Sequence, residues 1–238
     1  MEQQYDFFIS YSRDIYSEIV DPIIECMERL GFNIWVDRTE VVLGMDIYKN
    51  INKVMGNIHY WRGAIVIIDK TYLCKEWCKL ESDFLINNNV YCCPILYKIT
   101  KNDLINDYVY YKNLNLATVK SLQDLPLAVD KILMSYINSL APLNNKINIS
   151  SSLLSAVTLS YKHRLNNAPE SFILSDVICQ IIEIIQPNFI FNNHSIEILK
   201  NIIHFKTNLL YKTGTYTRYD NLLLKKAINY ILNQIEVS

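Results

Sequence analysis

Residues Ala64–Ile68 read Ala-Ile-Val-Ile-Ile, an apolar run with no polar position on either side of a pleat. A strand of that composition has no face to offer water, so both faces must be covered. Parallel sheets wrapped by helices meet that need, and the flanking segments supply the other pieces. Tyr5–Tyr11 is a β-rich run carrying Phe7, Phe8 and Ile9. A helix follows, with Asp21 at the N-cap, Pro22 at the first helical position and Gly31 as the stop. Ile23, Met27 and Leu30 repeat on one of its faces. Phe32–Asp37 reads as a second strand, Asp46–His59 as a second helix, and Cys74–Asn88 as a third. Val90–Tyr97 is a fourth strand, where Pro94 predicts an edge or a bulge. Asn115–Val119 is a short fifth strand, and Asp124 caps a last helix running from Pro126 to about Leu140. The order predicts an α/β fold with a mostly parallel five-stranded sheet flanked by helices.

Beyond that point the pattern changes. Four of the five glycines fall in the first 63 residues, and the polar, proline-bearing stretch Ala141–Ser150 suits a linker. The expected domains are therefore 1–145 and 146–238. The second reads as wholly helical, with helices from Ser150 to about Leu165, Glu170–Gln186, Ser195–Lys212 and Asp220–Glu236.

A balance of 23 basic and 24 acidic residues, scattered rather than clustered, offers no electrostatic pull toward nucleic acid or anionic lipid. The greasiest stretch, Phe172–Ile185, is broken by Asp176, Gln180 and Glu183, and Met1–Phe8 lacks a leader's basic and apolar pattern. No membrane and no nucleic-acid partner is expected. The six cysteines form no CxxC pair and no zinc-ligand spacing and read as free thiols of a cytoplasmic protein, with Cys74, Cys78, Cys92 and Cys93 expected as small buried hydrophobes and no metal expected. His59, at a helix end, reads as a favourable charge for the dipole, and His163, His194 and His204 lack partner spacing.

The chemistry concentrates on the third helix. On Cys74–Leu85, the residues three and four positions from Glu81 are Trp77, Cys78, Phe84 and Leu85, all apolar. Asp83, by contrast, has Lys79 and Asn87 as neighbours. A carboxylate set among apolar groups is either mispaired, bridged from elsewhere, or positioned for work, and burial would strengthen its attraction to a bound cation. Parallel sheets bind ligands beyond the carboxyl ends of their strands. There the first strand delivers Ser10, Tyr11 and Arg13, the second delivers Asp37, and the third helix brings Trp77 and Glu81. Neither GxGxxG nor GxxxxGK[ST] is present, which argues against a dehydrogenase or a P-loop nucleotidase.

These segments resemble the TIR (Toll/interleukin-1 receptor) domain family. Tyr5–Tyr11 looks like its opening strand, Leu30–Asp37 like its second strand with the closing acid, and Arg38–Asp46 like its variable BB loop. Gly63–Ile68, followed by Thr71–Leu73 and Glu76–Glu81, resembles the third strand leading into the WxxxE helix. The resemblance covers about the first hundred residues and implies a flavodoxin-like sheet. Many bacterial and plant relatives cleave NAD. It implies Glu81 as the catalytic residue, with Ser10, Tyr11, Arg13, Asp37 and Trp77 binding substrate and NAD serving as substrate, without a further cofactor. Ser12 stands where some relatives carry a basic residue. It implies self-association through TIR domains and, as in anti-phage systems such as Thoeris, a nucleotide signal that activates a separate effector. The rival class is a non-catalytic TIR scaffold. A deoxyribosyltransferase-like enzyme fits the WxxxE context less well.

Overall fold

The computed structural model describes residues 5–36, 63–139, 147–149, 151, 194–213, 218–233 and 235–237. The second helix expected at 46–59, the BB-like loop, Asp37, the helix expected at 170–186 and, apart from residue 151, the helix expected at 150–165 lie outside them.

The chain divides into two compact units, Met1–Ser135 and Tyr136–Ser238. The first is built on a five-stranded sheet of order β2-β1-β3-β4-β5, comprising β1 (Phe7–Tyr11), β2 (Ile34–Val36), β3 (Gly63–Ile68), β4 (Cys92–Tyr97) and β5 (Ala117–Val119). Every pairing is parallel, and β1 and β3 are in register from Phe7↔Gly63 to Tyr11↔Ile67. The helices are α1 (Asp21–Arg29), α2 (Glu76–Asn87), the single turn α3 (Val109–Lys112) and α4 (Leu125–Ser139). From β1 the chain steps outward to β2, then returns past β1 to place β3 on its other side. That reversal makes the β1/β3 boundary the topological switch point of a flavodoxin-like sheet. Right-handed crossovers taken in opposite directions put α1 and α2 on opposite faces.

Strand alternation sorts the core to match. Phe8, Ala64, Val66, Ile68, Cys92 and Leu96 form one buried cluster with Tyr72, Cys78 and Leu85 on the α2 side. All six residues of β3 are buried, as an apolar run covered on both faces requires. Gly63 opens this strand because a Cβ there would lie 2.7 Å from the carbonyl oxygen of Tyr91.

Three local expectations are corrected. Asp21 does not cap α1, because the chain enters it through a 3-10 turn, Arg13–Ile15, and a π turn, Tyr16–Val20. Asp21 is the first helical residue, and its carboxylate accepts the Tyr16 hydroxyl at 3.0 Å. The cap before α4 comes one turn early: Ser121 accepts from the Gln123 N–H, while Asp124 accepts from the Ser121 and Lys120 N–H groups. Pro94 lies in an interior strand rather than at the sheet's edge. Its position pairs with Val66 of β3, whereas β5 begins pairing only at Ile95, so the strand is locally one-sided where the N–H is missing.

In the second unit, α5 (His194–Thr213) and α6 (Arg218–Leu232) bury Ile198, Leu199, Ile202 and Ile203, and Leu223, Leu224, Ala227, Ile228 and Ile231. Two strands absent from the wholly helical expectation accompany them. β6 (Ile147–Ile149) and β7 (Ile235–Val237) pair in parallel, and the expected extension of the last helix to Glu236 ends at Leu232. Their partners are 88 residues apart in sequence, Ile147↔Ile235, so no local periodicity reports the pairing. Among the described residues no helix is long and apolar enough to cross a membrane.

Candidate functional site at the switch point

Strand alternation decides what β1 offers to each face. Ser10 shares the face of Phe8, the α2 side, and lies one residue from the carboxyl end of the strand. Glu81, at the middle of α2, comes down onto the same spot and is 5% exposed. Its two oxygens are held from different elements. Oε1 accepts the indole N–H of Trp77, one turn earlier on the helix, at 2.6 Å. Oε2 accepts the hydroxyl of Ser10 at 2.5 Å. Both distances are short, as hydrogen bonds to a carboxylate are. Ser10 Oγ is also 2.8 Å from the hydroxyl of Tyr72, which stands in the 3-10 turn Tyr72–Cys74 between β3 and α2.

A second network lies beside the first. Asp69, directly after β3, accepts the hydroxyl of Ser12 at 2.7 Å and the N–H groups of Tyr72 at 2.9 Å and Thr71 at 3.1 Å. This fastens the turn after β3 to the turn after β1, across the switch point. Ser12, Ser10 and Tyr72 are essentially without solvent exposure. Burial pushes the Tyr72 phenol well above its ordinary range, with Tyr111 and then Glu81 adding to the effect. Burial also pushes the Cys78 thiol up to about 12, assisted by the nearby Glu81. Both groups therefore stay protonated at neutral pH.

Of the residues nominated from sequence, the fold brings Ser10, Trp77 and Glu81 into direct contact. Tyr11 belongs to the opposite pleat, and its ring lies 5.7 Å from that of Tyr16. Arg13 is exposed in the turn beyond β1. Asp37 lies outside the described residues. Sequence reasoning missed Tyr72, Ser12 and Asp69. Asp69 carried a signal, an acid closing an apolar strand two and three residues before the N–H groups it accepts, a short-range turn pattern. Ser12 and Tyr72 carried none, since their partners are 57 and 62 residues away. A surface cavity of about 310 Å³, lined by Tyr5, Glu28 and residues 31–34, opens at the amino ends of β1 and β2 and has no part in this site. Among the described residues no group of three or more His, Cys, Asp or Glu is placed to hold a metal ion.

Fold and site together define a flavodoxin-like α/β domain with a buried, doubly hydrogen-bonded glutamate at its switch point. Residues 7–124 match the model of the TIR domain family. That part of the chain is a TIR domain. Over 109 residues, 44% of this chain, it is 30% identical to the 2' cyclic ADP-D-ribose synthase AbTIR of Acinetobacter baumannii. Over 112 residues, 45% of this chain, it is 32% identical to the NAD(+) hydrolase TcpC of Escherichia coli. The matched stretches span 39% and 35% of those two relatives. Among solved structures it is similar to the TIR domain of the Toll-related receptor TRR-2 of Hydra magnipapillata. The TM-score is 0.44 at 17% identity, covering 56% of this chain and 98% of that one.

Proposed function

We propose that this chain cleaves NAD at the bond between nicotinamide and ribose, with Glu81 as the catalytic carboxylate. One observation carries the reading: a buried acid fixed by Ser10 and Trp77 at the sheet's switch point, the place where open α/β sheets bind ligands. The similarity to a cyclic ADP-ribose synthase and an NAD hydrolase supports it.

The chemistry explains why one carboxylate suffices. Ordinary glycoside hydrolysis uses two, because a poor leaving group must be protonated while the other face is attacked. In NAD the nicotinamide is already a cationic pyridinium and departs neutral. What remains is to stabilise an oxocarbenium-like ribose, which a nearby fixed anion does. Water then gives ADP-ribose, and a hydroxyl or ring nitrogen of the same nucleotide gives a cyclic isomer. No cofactor beyond the substrate enters this scheme. Tyr11, Arg13 and Asp37 complete the substrate-binding set in this reading.

In the same reading the TIR domain occupies 1–145 and a helix-rich domain 146–238. The protein acts in the cytoplasm, self-associates through its TIR domains, and makes an ADP-ribose-derived signal for a separate effector in anti-phage defence. The scaffold reading has one observation in its favour: both oxygens of Glu81 already have protein partners, as a purely structural carboxylate would. Mass spectrometry of NAD incubated at high protein concentration with wild type and Glu81→Ala separates the two. Nicotinamide and an ADP-ribose isomer from wild type alone support the enzyme. Equal turnover by both proteins removes Glu81 from its role, and none by wild type favours the scaffold.

A further inference from the structure

Tyr72 is the buried hydroxyl that the scheme above leaves unused, and the proton inventory gives it a direction. A serine hydroxyl has one proton to donate. That of Ser10 points to Oε2 of Glu81, so the 2.8 Å contact with Tyr72 must run the other way, phenol donating to Ser10 Oγ. The result is a one-way chain from Tyr72 through Ser10 to the carboxylate. Each donor polarises the next, and in surroundings without solvent such chains are stronger than their separate bonds. The tyrosine is itself held from several sides. Its N–H is accepted by Asp69, its carbonyl accepts the Tyr108 hydroxyl at 3.3 Å, and its ring meets that of Tyr108 edge-on at 5.8 Å.

We propose that Tyr72 is a positioning residue for the NAD-cleavage reaction, acting on Glu81 only through the hydroxyl of Ser10. The proposal rests on the reading of Glu81 as the catalytic acid. With the phenol in place, the Ser10 proton is committed to Oε2 and the carboxylate is fixed from two sides, by β1 and by Trp77. Without it, Ser10 loses its donor and the hydroxyl is no longer pinned in one rotamer.

The test is a double-mutant cycle on the full chain. It comprises wild type, Tyr72→Phe, Ser10→Ala and the double variant, with Glu81→Gln as the blank and thermal unfolding of each. Tyr72→Phe is expected to lower kcat for NAD loss by about three- to tenfold, the worth of one buried hydrogen bond, with KM within about twofold. In the Ser10→Ala background the same change is expected to leave kcat where it was. A tyrosine that merely fills space gives the same fold-loss in both backgrounds, and that result overturns the proposal, as does a Tyr72→Phe protein with wild-type kcat. If Tyr72→Phe does not fold, site-specific 3-fluorotyrosine at position 72 keeps the hydroxyl as a stronger donor. It must then alter kcat with Ser10 present and not with Ser10→Ala. Wild type that cleaves no NAD brings down the functional reading itself, whereas active, Glu81-dependent wild type with an uncoupled Tyr72 brings down this proposal alone.

Discussion

Replacing Glu81 with glutamine separates the charge of this site from its hydrogen bonds. The amide has nearly the shape of the acid. Its oxygen still accepts the Trp77 indole N–H, but its NH₂ faces Ser10, whose hydroxyl then accepts from both the amide and Tyr72 and is left with no acceptor among these groups for its own proton, a cost of about 1–3 kcal/mol. Two charge-assisted bonds become neutral ones, a loss of about 1 kcal/mol each. Against this stands the relief of no longer keeping a carboxylate 5% exposed, an effective penalty of several kcal/mol for a buried ion. The net effect on stability is near zero, so Tm is expected to hold within a few degrees. Catalysis moves the other way. A unit charge about 4 Å from an oxocarbenium-like ribose, at an effective dielectric near 20, contributes roughly 4 kcal/mol, a factor of about 10³ in rate. Thermal unfolding and mass-spectrometric NAD turnover measure the two effects on one preparation. A glutamine variant retaining more than about a tenth of the wild-type rate refutes the electrostatic argument. One destabilised by more than about 3 kcal/mol refutes the claim that the acid is kept at the expense of stability.

Other outcomes follow from the packing and the titrating groups. Gly63→Ala sets a Cβ 2.7 Å from the Tyr91 carbonyl oxygen and 3.4 Å from the Phe7 ring, and should cost about 1–3 kcal/mol, or roughly 3–10 °C in Tm. An unchanged Tm contradicts the close approach. Iodoacetamide at pH 8 should label the exposed Cys74. It should spare Cys78, Cys92 and Cys93, whose thiols burial pushes up to about 12, until the protein is unfolded; peptide mapping reads the difference. Glu18 is held below the ordinary glutamate range, first by its bond to Lys98 and then by that of Tyr97. A depressed carboxylate contributes stability above its unfolded pKa, and the contribution is lost as pH falls through the folded one. The stability gap between wild type and Glu18→Gln should therefore be open at pH 6 and close on acidification. It is small, because the pair is exposed. A gap that widens toward low pH reverses the sign and excludes the assignment.

Several elements were legible because their information is local. The apolar run of β3, the strand and helix periods around it, and the apolar setting of Glu81 on α2 are properties of neighbours within about four residues. They specified the five-stranded parallel α/β sheet and the acid worth examining. Boundaries near caps were less legible. Asp21 and Asp124 each had the residue type of a cap, but a preceding turn had already begun the helix in one case and supplied Ser121 as the cap in the other. The β6–β7 pair in the second unit left no trace in a search by period, because three-residue strands are too short to show one.

The chain's linear order thus determined the sheet, the helix bearing Glu81, and the side chains available to it. Which of them reach the carboxylate was decided by strand order and pleat. Placing β1 beside β3 sets Ser10 and Tyr72, 71 and 9 positions from Glu81, within one hydrogen-bonded chain, and the same alternation turns Tyr11 to the other face. Hydrogen bonds have a reach of about 3 Å, and only the assembled sheet brings groups as distant in sequence as Ser10 and Glu81 within it.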